Sequence, residues 1–145
     1  MNLSNEHVLS AMTPEAVANV RSLESELLNM PNIRLPMWHL FHVGTYSRTA
    51  MIPAGCVATG ALIKIPTLLI VSGHVSVYVD DSHVTELTGY HVLAGFAGRK
   101  QAFLAHSNTY LTMLFPTQAQ TVNDAEREFT DETDLLLTNR QKSGL

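Results

Sequence analysis

Short apolar segments, interrupted by turn residues at regular spacing, are the feature of this sequence that most constrains its fold. From residue 38 to residue 118, β-branched and aromatic stretches are broken by glycine, proline, asparagine or aspartate roughly every 8–12 residues. In HVSVYVDD (74–81), His74, Ser76 and Tyr78 alternate with valines, which is the period of a β-strand. The pattern predicts about eight short strands in an antiparallel sandwich or barrel, because β–α–β folds alternate strands with helices.

Helical patterns flank the predicted strands. Thr13 can cap a helix over 13–30 and Pro14 suits its first position. Its predicted apolar stripe consists of Val17, Val20, Leu23, Leu27 and Met30. Residues 121–138 predict a C-terminal helical segment capped by Asn123 or Asp124, and residues 139–145 a loose tail. The chain of 145 residues is therefore predicted to be one mainly β domain, 1–145, with the barrel at 38–118.

Charged residues are few and unevenly placed. They make up 15% of the chain, against roughly 25% in an average globular protein. Only seven charged side chains lie between Trp38 and Pro116. So sparse a surface predicts that part of it is covered, by the terminal helices or by another subunit. We therefore expect a homo-oligomer formed through the apolar strands and the terminal helices.

Several partner classes are disfavoured by composition. The net charge of −4 gives no case for nucleic-acid binding. The sequence shows no signal peptide and no apolar run of the roughly 18–20 residues that a membrane span needs, so a cytoplasmic protein with no membrane partner is expected. The single cysteine, Cys56, excludes an internal disulfide and is interpreted as a small core residue.

The stretch TGALIKIPTLLIVSG (59–73) is almost wholly apolar. It predicts two successive strands with Pro66 at the break between them. Its second half, TLLIVS, is apolar on both faces, unlike an exposed strand. One face is expected to meet the core, and the other a terminal helix or a second subunit.

Four segments together resemble a cupin over roughly 40–118: PAG (53–55), VSGHVSVYVDD (71–81), LTGYHVLAGFAGRK (87–100) and AHSNTYLTMLFPT (105–117). The resemblance implies an antiparallel jelly-roll barrel with an N-terminal and a C-terminal helix. The chain is also similar to small uncharacterised cupins of bacteria and phages. That likeness would imply a phage-encoded protein directed at a host factor.

The cupin metal motifs keep their glycines in this sequence but not their ligands. Gly55 and Gly73 match the ends of the first motif. Its two histidine positions hold Ala61 and Ile63, and its glutamate position falls at Thr67 or Leu68. In the second motif Gln101 replaces the histidine. Alanine and isoleucine offer a metal no donor atom, so no metal and no other cofactor is expected.

Cations of the barrel segment suggest an anionic ligand. Because the two cupin motifs are neighbours in space, Lys64 is expected to approach Arg99 or Lys100. The candidate ligand-binding residues are Lys64, Arg99, Lys100, Gln101, Arg48 and Tyr46. Converging cations in a barrel with few charges favour a phosphate, carboxylate or nucleotide. The alternative is that these cations keep the barrel soluble or pair with acids of the terminal helices.

Most histidines have ordinary structural interpretations. His39 and His42 are expected to face opposite sides of a strand, one hydrogen-bonded in the core and one at the surface. His74 is expected on a solvated strand face, or else at a barrel mouth that holds a ligand. His91 and His106 are acid–base candidates in type, but neither has a carboxylate nearby in sequence to orient it, and Glu86 and Asp124 are only speculative partners.

The sequence favours a non-catalytic binding module for a small anionic ligand or a host protein. The alternative is a metal-independent enzyme similar to sugar-nucleotide epimerases. In that case His91 or His42 would act with Tyr46 as the acid–base pair, and Arg48 and Arg99 would hold phosphates. A third possibility is a structural subunit whose barrel serves only for packing.

Overall fold

The computed structural model describes residues 8–31, 34–136 and 138. Its strands are β1 (Val8–Leu9), β2 (Met37–His42), β3 (Thr45–Ile52), β4 (Val57–Thr59), β5 (Thr67–Asp80), β6 (His83–Gly95), β7 (Ala102–Ala105) and β8 (Thr109–Pro116). Its helices are α1 (Pro14–Leu28) and α2 (Val122–Phe129), with a 3-10 turn at Thr133–Leu135. The predicted mainly β class with a helix at each end is confirmed.

The strand pairing is that of a jelly roll. β5 pairs with β6, β4 with β7 and β3 with β8, so that three antiparallel pairs are nested inside one another. The long β5 then pairs with β8 through its first half and with β7 through its second half, which joins the two layers of the barrel. β1 is an exception to the antiparallel pattern, because it adds to β6 in parallel.

Two strands are longer than the sequence pattern suggests. β5 runs unbroken through Gly73 and β6 through Gly89, although glycines were expected to break the predicted strands. The β5 backbone lies so close to Thr109 that a Cβ at Gly73 would be 2.5 Å from its hydroxyl. This glycine therefore permits a close approach of strands and does not end one. Residues 60–66 form a connection with one isolated bridge, Ile63 to Arg99, so only the second strand predicted in 59–73 is a regular one.

A tight hairpin divides the apolar stretch 38–52 into β2 and β3. Val43 and Gly44 connect the strands, and both have positive φ, 54° and 63°. A two-residue turn of this kind is usually Asn-Gly, because a β-branched residue is strained at positive φ. His39 is half-buried and His42 is exposed, as the alternation predicted.

Both helices begin with a threonine cap. Thr13 Oγ1 accepts from the Ala16 amide at 3.1 Å, as predicted. The cap of α2 is Thr121, whose hydroxyl accepts from the Asp124 amide, so the prediction of Asn123 or Asp124 was wrong. The buried face of α1 also differs from the predicted stripe, because Glu24 lies on it and Met30, outside the helix, is exposed. Within the described residues, no helix combines the length and the apolar character that crossing a membrane requires.

The sheet has an apolar outer face that the described helices leave open. Leu68 on β5 is 53% exposed, whereas Leu69 and Val71 on the same strand are buried in the core. The register places exposed side chains of β6, β5, β8 and β2 on this side, with β3 lying between β8 and β2. We call it the outer apolar face, and its members are Trp38, Leu40, Leu68, Tyr90, Val92 and Tyr110. Of the two covers expected for TLLIVS, the described terminal helices do not supply one for Leu68, and a second subunit stays a prediction.

Candidate functional site in the barrel interior

A cavity of about 140 Å³ lies inside the barrel. Its wall is mostly apolar. It comes from inward-facing residues of the strands, from the connections that carry Ala61 and Arg99, and from the C-terminal segment, which contributes Phe129, Leu135 and Leu136. Four polar side chains reach it: Arg48, Thr59, Arg99 and Gln101. A cavity of about 150 Å³ lined by hydrocarbon holds a molecule of the size of benzene, so the space here suits a small ligand.

Arg99 is a buried cation whose described partners are all neutral. The residue is 2% exposed. Its Nη1 donates to the Phe96 carbonyl at 2.7 Å and its Nη2 to Thr67 Oγ1 at 2.8 Å. No carboxylate of the described residues pairs with it. Burial lowers the pKa of Arg99 to about 10, so the side chain still carries its charge at neutral pH.

The backbone around Arg99 fixes the position of its guanidinium. The Arg99 carbonyl accepts from the Ile63 amide at 2.9 Å, and the Gly98 amide donates to the Ile63 carbonyl at 2.7 Å. The guanidinium lies directly over Gly95, where a Cβ would be 2.5 Å from Arg99 Cζ. Only glycine leaves room for this placement. Sequence reasoning missed Gly95, although a glycine within a strand pattern often marks a close approach of other groups.

Two polar atoms at the cavity wall lack partners among the described residues. Arg99 Nε and Thr59 Oγ1 are buried and make no hydrogen bond within that part of the chain. Such groups are uncommon in folded proteins, because losing water without gaining a partner costs about 1–3 kcal/mol. One unused donor and one unused hydroxyl therefore lie in the wall of the same cavity. Thr59 was not among the predicted site residues.

Arg48 also reaches the cavity, but its charge is neutralised. Its Nη1 donates to Glu126 Oε2 at 2.9 Å and to Tyr46 Oη at 3.2 Å. Glu126 is 1% exposed and comes from α2. The guanidinium carbon also lies 5.4 Å from the centre of the Phe129 ring. Arg48 and Glu126 thus form a buried ion pair that fastens α2 to the barrel.

Tyr46 is buried and uses its hydroxyl for a structural hydrogen bond. The hydroxyl lies 2.6 Å from His39 Nδ1. Because it accepts from Arg48, its own proton is free to point at that nitrogen, which requires a neutral His39 ring. Burial, assisted by the positive charge of Arg48, lowers the pKa of His39. The acid–base partner expected for Tyr46 was His42 or His91, but the structure places His39 beside it.

Neither His42 nor His91 belongs to the cavity wall. His42 is exposed at the end of β2. His91 lies on β6, where its Nε2 is 2.9 Å from the Thr88 carbonyl. The structure does not bring the three residues of the enzymatic alternative together.

Lys100 is fully buried but turns away from the cavity. Its Nζ donates to Glu24 at 3.1 Å, to Glu132 at 2.8 Å and to the Gly60 carbonyl at 3.0 Å. Glu132 also pairs with Arg21 and accepts from the Leu62 amide. This network joins α1, the barrel and the C-terminal segment. Glu24 and Glu132 neutralise Lys100, so its charge is not available to a ligand.

Lys64 lies at the surface. Its Nζ pairs with Asp131 at 2.7 Å, and the two side chains are 41% and 85% exposed. Of the six predicted ligand-binding residues, only Arg48, Arg99 and Gln101 line the cavity. Arg48, Lys64 and Lys100 each pair with an acid of the C-terminal segment, as the alternative interpretation expected. Arg99 has no such partner among the described residues.

The cavity wall does not fit a metal ion. Ala61, Ile63 and Gln101, which replace three ligands of the cupin motifs, all line it. No histidine, cysteine, aspartate or glutamate contributes to this wall within the residues that the structure describes. Transition metals in proteins need such donors, so these side chains would not hold one.

Comparison with known proteins finds similar solved structures only. No family model and no curated protein matches the chain. A cupin-2 domain containing protein from Shewanella frigidimarina matches at 9% identity and a TM-score of 0.46, over 63% of this chain and 90% of that one. A Cupin 2 conserved barrel domain protein from Salinispora arenicola matches at 11% identity and a TM-score of 0.49, over 70% and 92% of the two chains. An uncharacterized protein with a double-stranded β-helix domain from Klebsiella pneumoniae matches at 13% and 0.49, over 66% and 84%. Bacterial cupins are thus among the solved structures to which this chain is similar.

Proposed function

We propose that the chain is a binding module whose barrel cavity holds a small carboxylate with an apolar body. The observation that carries the proposal is Arg99, a buried cation at the cavity wall that no described acid neutralises. A carboxylate beside it would supply the missing negative charge and an acceptor for Nε. Apart from Arg48, Thr59 and Gln101, the rest of the wall is hydrocarbon, which suits an apolar body.

The size and charge of the cavity select among anions. About 140 Å³ is too small for a nucleotide. A phosphate carries up to two charges and several oxygens, and the described wall offers it one unpaired cation among apolar side chains. A monocarboxylate of about the size of benzoate matches both the volume and the single charge.

The contribution of Arg99 follows from its lowered pKa. The ordinary value of an arginine is about 12.5, and burial brings it to about 10. At about 1.4 kcal/mol per pKa unit, burial opposes the charged side chain by about 3 kcal/mol. A ligand carboxylate that relieves most of this cost would gain about 100-fold in affinity through Arg99.

The test is a thermal-shift and calorimetric screen of the full chain with benzoate and short-chain monocarboxylates. Two control ligands accompany them: benzamide has the shape of benzoate but no charge, and inorganic phosphate is an anion without an apolar body. A carboxylate at about 100 times its Kd should stabilise the protein by about 2.7 kcal/mol. Arg99→Met should weaken binding about 100-fold, while Lys64→Met should not. Failure of every carboxylate, or equal binding by Arg99→Met, would overturn the proposal.

We further infer that the module works as a homo-oligomer through the outer apolar face. The six members of this face are all uncharged, so the face does not repel its own copy, and a two-fold contact needs the same patch on both partners. Ultracentrifugation should show a dimer that Leu68→Lys converts to a monomer. Val84→Lys, at the far end of the hairpin, should leave the dimer intact; a wild-type monomer would contradict the inference. The expectations of a phage origin and a host target stay predictions.

A further inference from the structure

Two histidines and a glutamate form a cluster on the outside of the barrel, away from the cavity. His74 lies on β5, Glu86 on β6 and His106 just after β7. One donor atom from each lies within 4.8 Å of the other two. His74 Nε2 is hydrogen-bonded to Glu86 Oε1, and the ring centres of His74 and His106 are 4.5 Å apart.

Strand pairing places these side chains together. Ser76 is the register partner of Glu86, so Glu86 lies beside the strand segment that carries His74. The His106 amide donates to the His74 carbonyl at 2.8 Å, which fixes the turn against β5. Ser76 Oγ lies 2.7 Å from His106 Nε2 and orients that ring. The cluster therefore rests on a rigid part of the sheet.

We propose that His74, Glu86 and His106 bind a divalent transition metal of the Zn²⁺ class. Two imidazoles and one carboxylate are donors that such ions prefer, whereas Mg²⁺ and Ca²⁺ prefer oxygen alone. In a tetrahedral zinc site the donors stand roughly 3.3 Å apart, from bond lengths of about 2.0–2.1 Å, so small rotamer changes suffice. The metal takes the place of the proton between His74 and Glu86.

Access and coordination number also suit a metal. The side chains of His74 and Glu86 are 36% and 60% exposed, so an ion reaches them from solvent. Three protein ligands leave a fourth position open, as in zinc sites that bind water or a further ligand. The site is independent of the barrel cavity, since neither its residues nor its charge enters the cavity wall.

The test is calorimetric titration of the metal-stripped full chain with Zn²⁺, supported by the visible spectrum of the Co²⁺ form. One Zn²⁺ per chain should bind, and Mg²⁺ should not compete. His106→Ala and Glu86→Gln change exposed side chains, so the fold should persist, and each should remove this site. Ser76→Ala should weaken binding by about 10-fold, the effect expected for an outer partner of a ligand. His83→Ala is the matched control and should bind as the wild type does.

Two results would overturn the proposal. One is a wild-type chain that binds no Zn²⁺. The other is unchanged stoichiometry and affinity in both His106→Ala and Glu86→Gln. Arg99→Met should keep the metal site, so a failure of the carboxylate proposal and a failure of the metal proposal remain distinguishable.

Discussion

Lys100 is predicted to be the side chain on which the attachment of both terminal segments depends most. Its ammonium is completely buried and contacts Glu24 and Glu132, which belong to α1 and to the C-terminal segment. Lys100→Met leaves Glu24, itself almost fully buried, without a counter-charge. Removing one partner of a buried ion pair costs about 3–5 kcal/mol. Since a domain of this size has about 5–15 kcal/mol of stability, a large share should be lost.

Lys64 provides the matched control for this prediction. It also pairs with an acid of the C-terminal segment, Asp131, but both side chains are exposed. Solvent screening limits such a pair to about 0–1 kcal/mol. Lys64→Met should therefore be nearly neutral, although the same residue type and the same segment are involved.

Urea unfolding of both variants, followed by far-UV circular dichroism, measures the difference. If Lys100→Met is too unstable to purify, the unfolding of the double variant Lys100→Met/Glu24→Gln is measured as well. It removes the stranded charge, so it should recover part of the lost stability and be more stable than Lys100→Met. Equal costs for Lys100→Met and Lys64→Met would refute the reasoning, and so would a double variant that recovers nothing.

Local geometry leads to three further predictions. The pKa of His39 is lowered in the folded state, so the neutral ring stabilises the fold fully above about pH 6.5 and this stability is lost as the pH falls through the folded pKa. In urea unfolding, the stability of His39→Gln should therefore depend less on pH between 7 and about 5 than that of the wild type. Val43→Asn should raise the free energy of unfolding by about 1 kcal/mol in the same assay, since it relieves a β-branched residue at positive φ that is 82% exposed; a loss of stability would contradict this. Gly95→Ala should weaken benzoate binding in calorimetry, because the new Cβ displaces the Arg99 guanidinium while its charge remains; unchanged affinity would argue against a role for that placement.

Much of the fold could be predicted because its signals are local. Alternation along 74–79 and the turn residues after it predict a hairpin, and β5 and β6 form one. The Val43–Gly44 turn was missed because valine is atypical of such turns. Gly73 was interpreted as a break because its role depends on Thr109, 36 positions later in the chain, which local sequence cannot reveal.

The candidate site was less predictable, since it depends on which distant groups meet. All four cations of the barrel segment entered the predicted ligand site, because the sequence does not show which of them an acid neutralises. The acids of the C-terminal segment decide their roles: Glu126 neutralises Arg48, Asp131 pairs with Lys64, and Glu132 pairs with Lys100. Nothing in the spacing of these acids assigns them to particular cations. The cluster of His74, Glu86 and His106 was missed for the same reason, because two strands and the turn after β7 bring it together.

Arg99 and Lys100 are adjacent and both buried, yet replacing Lys100 should destabilise the ligand-free protein more than replacing Arg99. Arg99→Met strands no acid, because its acceptors are a carbonyl and a hydroxyl. It loses two hydrogen bonds of about 1.5–3 kcal/mol each, while removing the burial cost of about 3 kcal/mol that the lowered pKa of Arg99 reflects. The two effects largely offset, so without ligand its stability should lie within about 2–3 kcal/mol of wild type, closer than that of Lys100→Met. Urea unfolding of the two variants side by side decides the matter. If Arg99→Met lost more stability than Lys100→Met, the role of Arg99 would be to stabilise the fold. Its buried charge would then no longer support an anion-binding site.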